Sequence, residues 1–190
     1  MVLIIHISGA SGSGKTTLGK RLSDSLKDKV VVKDLDDLRD EFIKKHYGNK
    51  KWTFINVDAY QRYINRYIDM QNKPIIFVGL NDNIFGKNKY FFYYLHSQFN
   101  YFIDIDDTTI LVQKCTRLLN DIKHDKRAMN YLINNNNKFI KKFKEAIDRE
   151  CNLTTTKKDN KILKEHYKKE GYRFMKQDEI YNDVLKKLSK

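Results

Sequence analysis

The chain has 190 residues, a net charge of +13, 41% hydrophobic and 13% aromatic residues. That length can bury a core without disulfides or a structural metal, and that apolar content excludes a wholly disordered chain. No apolar run approaches the ~18 residues a membrane span needs.

Val2–Ser8 is a continuous, β-branched apolar run, which predicts a strand buried on both faces. The glycine-rich stretch Gly9–Gly14 follows at once, and Lys15–Leu26 carries Leu18, Leu22 and Leu26 at helical spacing. Val30–Val32 predicts a second strand, ending in Asp34, Asp36 and Asp37, and a helix is expected from about Asp37 to Lys45. His46–Val57 reads as irregular, with Trp52 and Phe54 as aromatic candidates for stacking an acceptor. Asp58 is expected to cap a helix bearing Tyr60, Ile64, Tyr67 and Ile68 on one stripe. Pro74 stops it and opens a third strand, Ile75–Val78, followed by a loop over Gly79–Lys89.

Phe99–Ile105 predicts the fourth strand. Asp107 or Thr108 is expected to cap the next helix, with Ile110, Leu111, Leu118, Leu119 and Ile122 on one face. Residues 121–137 are polar and basic and end in Asn134–Asn137, a run expected to be a connector. A helix is expected over Lys138–Glu150, a loop over 152–160, then a short helix closed by Gly171. Tyr172–Met175 is the last strand, and Asp178 is expected to cap the last helix. Alternating strands and helices predict an α/β fold with a parallel sheet covered on both faces. Ligands in such sheets sit at the carboxyl ends of the strands. The glycine loop, the acidic group and the Gly79–Asn83 turn are therefore expected to converge.

Gly9-Ala10-Ser11-Gly12-Ser13-Gly14-Lys15-Thr16 matches G-x-x-x-x-G-K-[ST] without a mismatch, with a strand before it and a helix after it. Glycines let backbone N–H groups turn inward around phosphate, and the helix N-terminus favours an anion. Lys15 suits the β- and γ-phosphates and Thr16 a Mg²⁺ ion; Thr17 completes the first turn. The sequence resembles the P-loop kinases of the nucleoside, nucleotide and polynucleotide type. The resemblance implies a P-loop NTPase three-layer sandwich with a five-stranded parallel sheet. It also implies ATP and Mg²⁺, an acceptor site after the second strand and a small basic lid after the fourth. The chain is then one kinase-like domain over 1–190, with the lid at about 117–137.

A kinase needs a carboxylate to take the proton of the attacking hydroxyl or orient it. Asp36 is the first choice and Asp34 the second, with Asp34 also the candidate metal contact beside Thr16. Their strand is expected beside the phosphate loop. Asp36-Asp37-Leu38-Arg39 is similar to the acceptor motif of 5′-polynucleotide kinases, which implies Asp36 as base and Arg39 as the holder of an acceptor phosphate. The acid after strand three arrives late, at Asp82, beyond Asn81; both are candidate acceptor contacts. The resemblance implies lid arginines on the helix after strand four, where Arg117 and, beyond it, Arg127 lie. Arg117 is expected far from the phosphate loop in an empty protein, closing only when substrates bind. His6, within a buried strand, reads as structural.

The leading expectation is a phosphotransferase using ATP and a small nucleoside- or nucleotide-like acceptor. The alternatives are a 5′-hydroxyl polynucleotide kinase and a regulatory ATPase without an acceptor. The charge is uneven: residues 1–113 carry 16 basic and 13 acidic groups, residues 114–190 carry 21 and 11. A field of that sign attracts a triphosphate or a nucleic acid. Yet 29 of the 37 basic residues are Lys, a bias that A+T-rich codons produce by themselves. Nucleic acid is therefore not the favoured partner. Cys115 and Cys151 match neither a disulfide framework nor a metal motif, and the N-terminus lacks the features of a signal peptide. A reducing, cytoplasmic setting is the expectation.

Overall fold

The computed structural model describes residues 2–48, 56–81, 93–134 and 136–189, and of Arg127 the backbone alone. Contacts divide the chain into two compact units. The first comprises Met1–Gly9, Gly14–Asp104 and His166–Lys190; the second comprises Ala10–Ser13 and Ile105–Glu165.

The first unit is built on a five-stranded, all-parallel sheet in the order β2-β3-β1-β4-β5. The strands are β1 (Ile4–Ser8), β2 (Val31–Asp34), β3 (Ile75–Val78), β4 (Phe99–Ile103) and β5 (Arg173–Met175). Side chains alternate between faces along each strand, and this alternation splits the core in two. Ile4, Ile75 and Phe77 face helices α2 (Leu35–Tyr47) and α3 (Val57–Asp69), meeting Leu38, Phe42, Tyr60 and Ile64. Ile5, Ile7, Ile76 and Val78 face α1 (Lys15–Leu26) and α8 (Gln177–Leu188), meeting Leu18, Leu22, Ile180 and Val184. All five residues of β1 are buried, as the middle strand of a sheet covered on both sides must be. The result is a three-layer α/β sandwich.

β2 and β5 are the edges. Lys33 of β2 bonds Glu41 at 2.6 Å, and Arg173 of β5 bonds Asp183 at 3.0 Å.

The second unit is helical: α4 (Asp107–His124), α5 (Lys126–Ile133), α6 (Asn137–Glu150) and most of α7 (Leu153–Lys169). Here the sequence expectation needs correction. Of the expected loop 152–160, residues 153–160 form the first half of α7. Asn152 caps it, its carboxamide oxygen accepting from the Thr155 amide at 2.9 Å. The buried stripe of α7 reads Thr156, Asn160, Leu163 and Tyr167, so its first two members are polar and the apolar period is hidden. The basic stretch after Asp121 likewise continues α4 and forms α5.

Smaller differences concern caps. Asn56 rather than Asp58 caps α3, and Asp106 rather than Asp107 or Thr108 caps α4. The start of α8 is closed by Glu179 accepting from the Lys176 amide, with Asp178 instead paired to Arg21. Asp34 caps α2, which therefore starts earlier than expected. Among the described residues no helix is long and apolar enough to cross a membrane.

Candidate phosphate and acceptor site

The loop after β1 turns because Gly12 and Gly14 hold φ of 82° and 81°, the left-handed region where a side chain is strained. At Gly14 a Cβ would also meet the carboxamide of Gln177 at the start of α8, the end of a flexible side chain that can yield. The turn delivers the chain into α1, whose Leu18 amide donates to the Gly14 carbonyl at 2.9 Å. The first amides of α1 then have no helical acceptor ahead of them, which is the arrangement that favours an anion. Lys15 reaches back, its Nζ donating to the Gly9 carbonyl at 2.8 Å. Thr16 and Thr17 are exposed on the first turn.

The Thr16 hydroxyl donates to Asp34 Oδ2 at 3.2 Å. The end of β2 thus comes to the phosphate loop, with β3 standing between β2 and β1. Asp34 and Thr16 meet past the carboxyl end of β3, whose Val78 pairs with Asp34 on one side and Ile7 on the other. That close passage is helped by Gly79 at φ 132°, where a Cβ would sit 2.9 Å from the Leu35 Cβ.

Asp34 Oδ1 accepts from the Asp36 amide at 2.9 Å. Burial, the largest influence, pushes the Asp34 carboxyl above its ordinary range; the charges of Asp36 and Asp37 add to this, while bonds from the Asp36 amide and Thr16 oppose it. Asp36 and Asp37 are exposed. Asp36 Oδ1 is bound by Arg39 Nη1 at 2.8 Å, one helical turn on. Thr16, Asp34, Asp36 and Arg39 thus form one polar chain from the end of the loop into α2.

Beneath it, His6 on β1 is fully buried. Its Nε2 lies 3.0 Å from the Gly79 carbonyl, so that nitrogen must carry the hydrogen, and Nδ1 accepts from the Tyr172 hydroxyl at 2.5 Å. Burial lowers the imidazole from 6.5 to about 4, the Gly79 bond opposing and the Lys15 charge assisting. His6 is neutral and structural, as its place in the strand suggested.

Within the second unit, α4 is seated on loop segment Ala10–Ser13. Arg117 Nη2 donates to Ser11 Oγ at 3.4 Å. The expectation that Arg117 stands away from the loop without substrates is therefore wrong: α4 begins directly after β4, and its second and third turns lie against the loop. Lys114, one turn earlier, is buried and its aliphatic stem lies where a Cβ on Gly12 would be 2.9 Å from Cγ. Its Nζ meets Glu150 at 3.5 Å. Burial works to raise Glu150, but the Arg149 bond and the Lys114 charge outweigh it and hold the carboxyl below its usual range. Sequence reasoning missed Lys114 and Gln177. Lys114 sits at helical spacing between Ile110 and Arg117, and Gln177 follows the carboxyl end of the last strand; these positions were the available signals.

Ala10 and Ser13 are buried in the loop, the Ser13 amide donating to the Ala10 carbonyl at 3.0 Å. The Asn81 carboxamide oxygen accepts from the Tyr167 hydroxyl at 2.9 Å, and its nitrogen lies 3.5 Å from the Tyr93 carbonyl. Trp52 and Asp82 and the side chain of Arg127 lie outside the described residues.

No protein-family model matches the sequence, and no curated protein matches it. Among solved structures, an uncharacterized protein from Eubacterium ventriosum is similar at TM-score 0.45 and 15% identity, covering 100% of this chain and 99% of that one. A shikimate kinase from Acinetobacter baumannii in complex with shikimate is similar at TM-score 0.38 and 10% identity, over 97% of this chain and 92% of that one. A shikimate kinase from Bacteroides thetaiotaomicron is similar at 0.35 and 16%, over 77% and 78%. At these values no residue role passes from them to this chain; the fold stands on the strand order and the packing described above.

Proposed function

We propose that the chain is an ATP- and Mg²⁺-dependent phosphotransferase acting on a hydroxyl of a small nucleoside- or nucleotide-like acceptor. The observation that carries this is the Thr16–Asp34 bond at 3.2 Å, which joins the phosphate loop to an acidic cluster on α2. Binding a nucleotide alone needs no such cluster; transfer to a hydroxyl does.

The residues fit the two groups. Thr16 and Asp34 are hard oxygen donors of the kind Mg²⁺ takes, with water and phosphate oxygens completing its shell. Among the described residues no cluster of three or more His, Cys, Asp or Glu could hold a metal by itself. When bound, Mg²⁺ offsets the charge of the phosphate oxygens.

Lys15 has three donor hydrogens. It can keep the Gly9 carbonyl while turning others to phosphate oxygens. Asp36 takes the proton of the acceptor hydroxyl as its oxygen bonds to phosphorus and the bridging oxygen of the donor departs. Arg39 fixes the Asp36 carboxylate and attracts an anionic acceptor. Arg117, on Ser11, offers a planar fork to phosphate oxygens over the loop segment Ala10–Ser13. In this proposal residues 1–190 work as one kinase-like domain, with residues 117–137 as its basic lid segment.

The test is ADP release over a panel of nucleosides, nucleotides and sugars, with the Asp36→Asn variant as control. Acceptor-dependent release lost in the variant supports the proposal; release indifferent to every acceptor favours a regulatory ATPase. The Asp36–Arg39 pair also favours a second reading, a 5′-hydroxyl polynucleotide kinase, for which short 5′-hydroxyl oligonucleotides would be the best acceptors in the same assay.

A further inference from the structure

Helix α3 repeats a pair of residues: Arg62-Tyr63 and, four positions on, Arg66-Tyr67. Four residues make about one turn and advance roughly 6 Å, so the arginines form one row and the tyrosines the next. The tyrosines floor an open groove of about 430 Å³ beside the end of α2, with Lys45, Arg62 and Arg66 on its rim and Met70, 74% exposed, at one end. Both rings are braced from below, Tyr63 on Phe42 at 5.4 Å and Tyr67 on Phe77 at 6.2 Å. Each ring also has a lysine over it, Lys45 Nζ 5.9 Å from the Tyr63 centroid and Lys33 Nζ 5.9 Å from the Tyr67 centroid, which adds to the positive charge beside the rings.

The groove is positive. Arg62 and Arg66 are exposed and, among the described residues, have no acidic partner. Glu41, whose charge bears on both rings, is engaged by Lys33 at 2.6 Å. Asp58 and Asp69 are on α3 but do not line the groove. In a chain with 29 Lys and 8 Arg, two of the eight arginines stand in this one row.

We propose that this groove binds single-stranded nucleic acid, Arg62 and Arg66 meeting successive phosphates while bases lie on Tyr63 and Tyr67. A guanidinium matches phosphate oxygens in a bidentate fork, and aromatic faces accept any base. A one-turn repeat of both rows suits a ligand that repeats charge and flat ring together. An acidic peptide would use the arginines and leave the tyrosine row without a role. The groove contains none of the loop or acidic-cluster residues, so this inference does not depend on the phosphotransferase reading.

The test is fluorescence anisotropy with a labelled short oligothymidylate, the full chain and no ATP, over a range of salt. Arg62→Glu with Arg66→Glu should weaken binding at least tenfold and reduce the slope of log affinity against log salt by about 1.4, two phosphate contacts at ~0.7 each. Tyr63→Leu with Tyr67→Leu keeps an apolar floor and should also weaken binding about tenfold or more, with the slope unchanged. Lys141→Glu with Lys144→Glu on exposed α6 should change affinity less than twofold. A thermal melt of each variant checks the fold. Absence of binding by the native chain at low salt overturns the inference. So does an equal loss in the α6 variant, which would mean a general basic field. Tyrosine variants that bind normally, or polyglutamate binding as tightly as the oligonucleotide, overturn it too.

Discussion

Acidification should destabilise the protein through His6, and the size of the effect follows from its site. The imidazole titrates at about 4 in the fold and 6.5 in the unfolded chain. The unfolded state therefore takes a proton that the folded state refuses, and stability rises with pH. The contribution is fully present above 6.5 and is lost as pH falls toward and through about 4. Between pH 7 and pH 4 the loss is about 3 kcal/mol, a large part of a typical ~5–15 kcal/mol. For a chain of this size it lowers the melting temperature by roughly 6–12 °C. His6→Gln takes no proton yet keeps a donor for the Gly79 carbonyl and an acceptor for the Tyr172 hydroxyl. Its stability at pH 7 should fall by ~1–2 kcal/mol from altered shape, but its pH profile should be flatter than that of the native protein by about 3 kcal/mol over the same interval. Urea denaturation followed by circular dichroism from pH 4 to 8 measures both. The comparison must be a difference, because Asp106 and Asp183, whose carboxyls are held low, also lose stability in acid. Parallel profiles for the two proteins would refute the reasoning.

Lys15→Ala should weaken ATP binding by ~10- to 150-fold, the loss of a charge-assisted bond of about 1.5–3 kcal/mol, with little change in melting temperature; calorimetric titration decides. Asp36→Asn should keep ATP affinity and lose ~10²-fold or more in turnover, measured as acceptor-dependent ADP release. Asp34 is raised by burial, so its charge opposes folding above the carboxyl range. Asp34→Asn, which can still cap α2, should raise the melting temperature at pH 7, lose that gain in acid, and demand more Mg²⁺ for activity. Arg117→Lys keeps charge but not the fork, and should lower turnover more than ATP affinity; a Lys variant matching the native rate would exclude a bidentate role.

The parts of the fold that were readable in the sequence are those where one local rule acts alone. β1 is buried on both faces, so its run of apolar residues has no rival interpretation, and the loop after it needs glycine at positive φ. The first half of α7 was missed because Thr156 and Asn160 occupy its buried stripe, with Asn160 bonding Asp107 at 2.6 Å. Two buried polar residues, one of them bonded to a residue 53 positions away, leave no apolar period to detect. The insertion of β3 between β1 and β2 is a matter of topology, and nothing in Val31–Asp34 states which strand it will join. At the candidate site, the approach of Asp34 to Thr16 was readable from motif and position. The burial of Lys114 was not, because in a lysine-rich chain its composition is unremarkable and its distinction is the glycine it lies against.

The two edge strands bear on how the protein behaves at high concentration. A sheet edge offers unpaired amides and carbonyls to any passing chain. β2 has four residues and β5 three. Each carries a cation, Lys33 or Arg173, whose acidic partner comes from its own helix layer, Glu41 on α2 or Asp183 on α8. A strand arriving from another molecule would find too few hydrogen-bonding groups to grip and would have to bury or displace an ion pair to use them. Self-templated aggregation is thereby opposed at both ends of the sheet, by local features that do not depend on the large net charge.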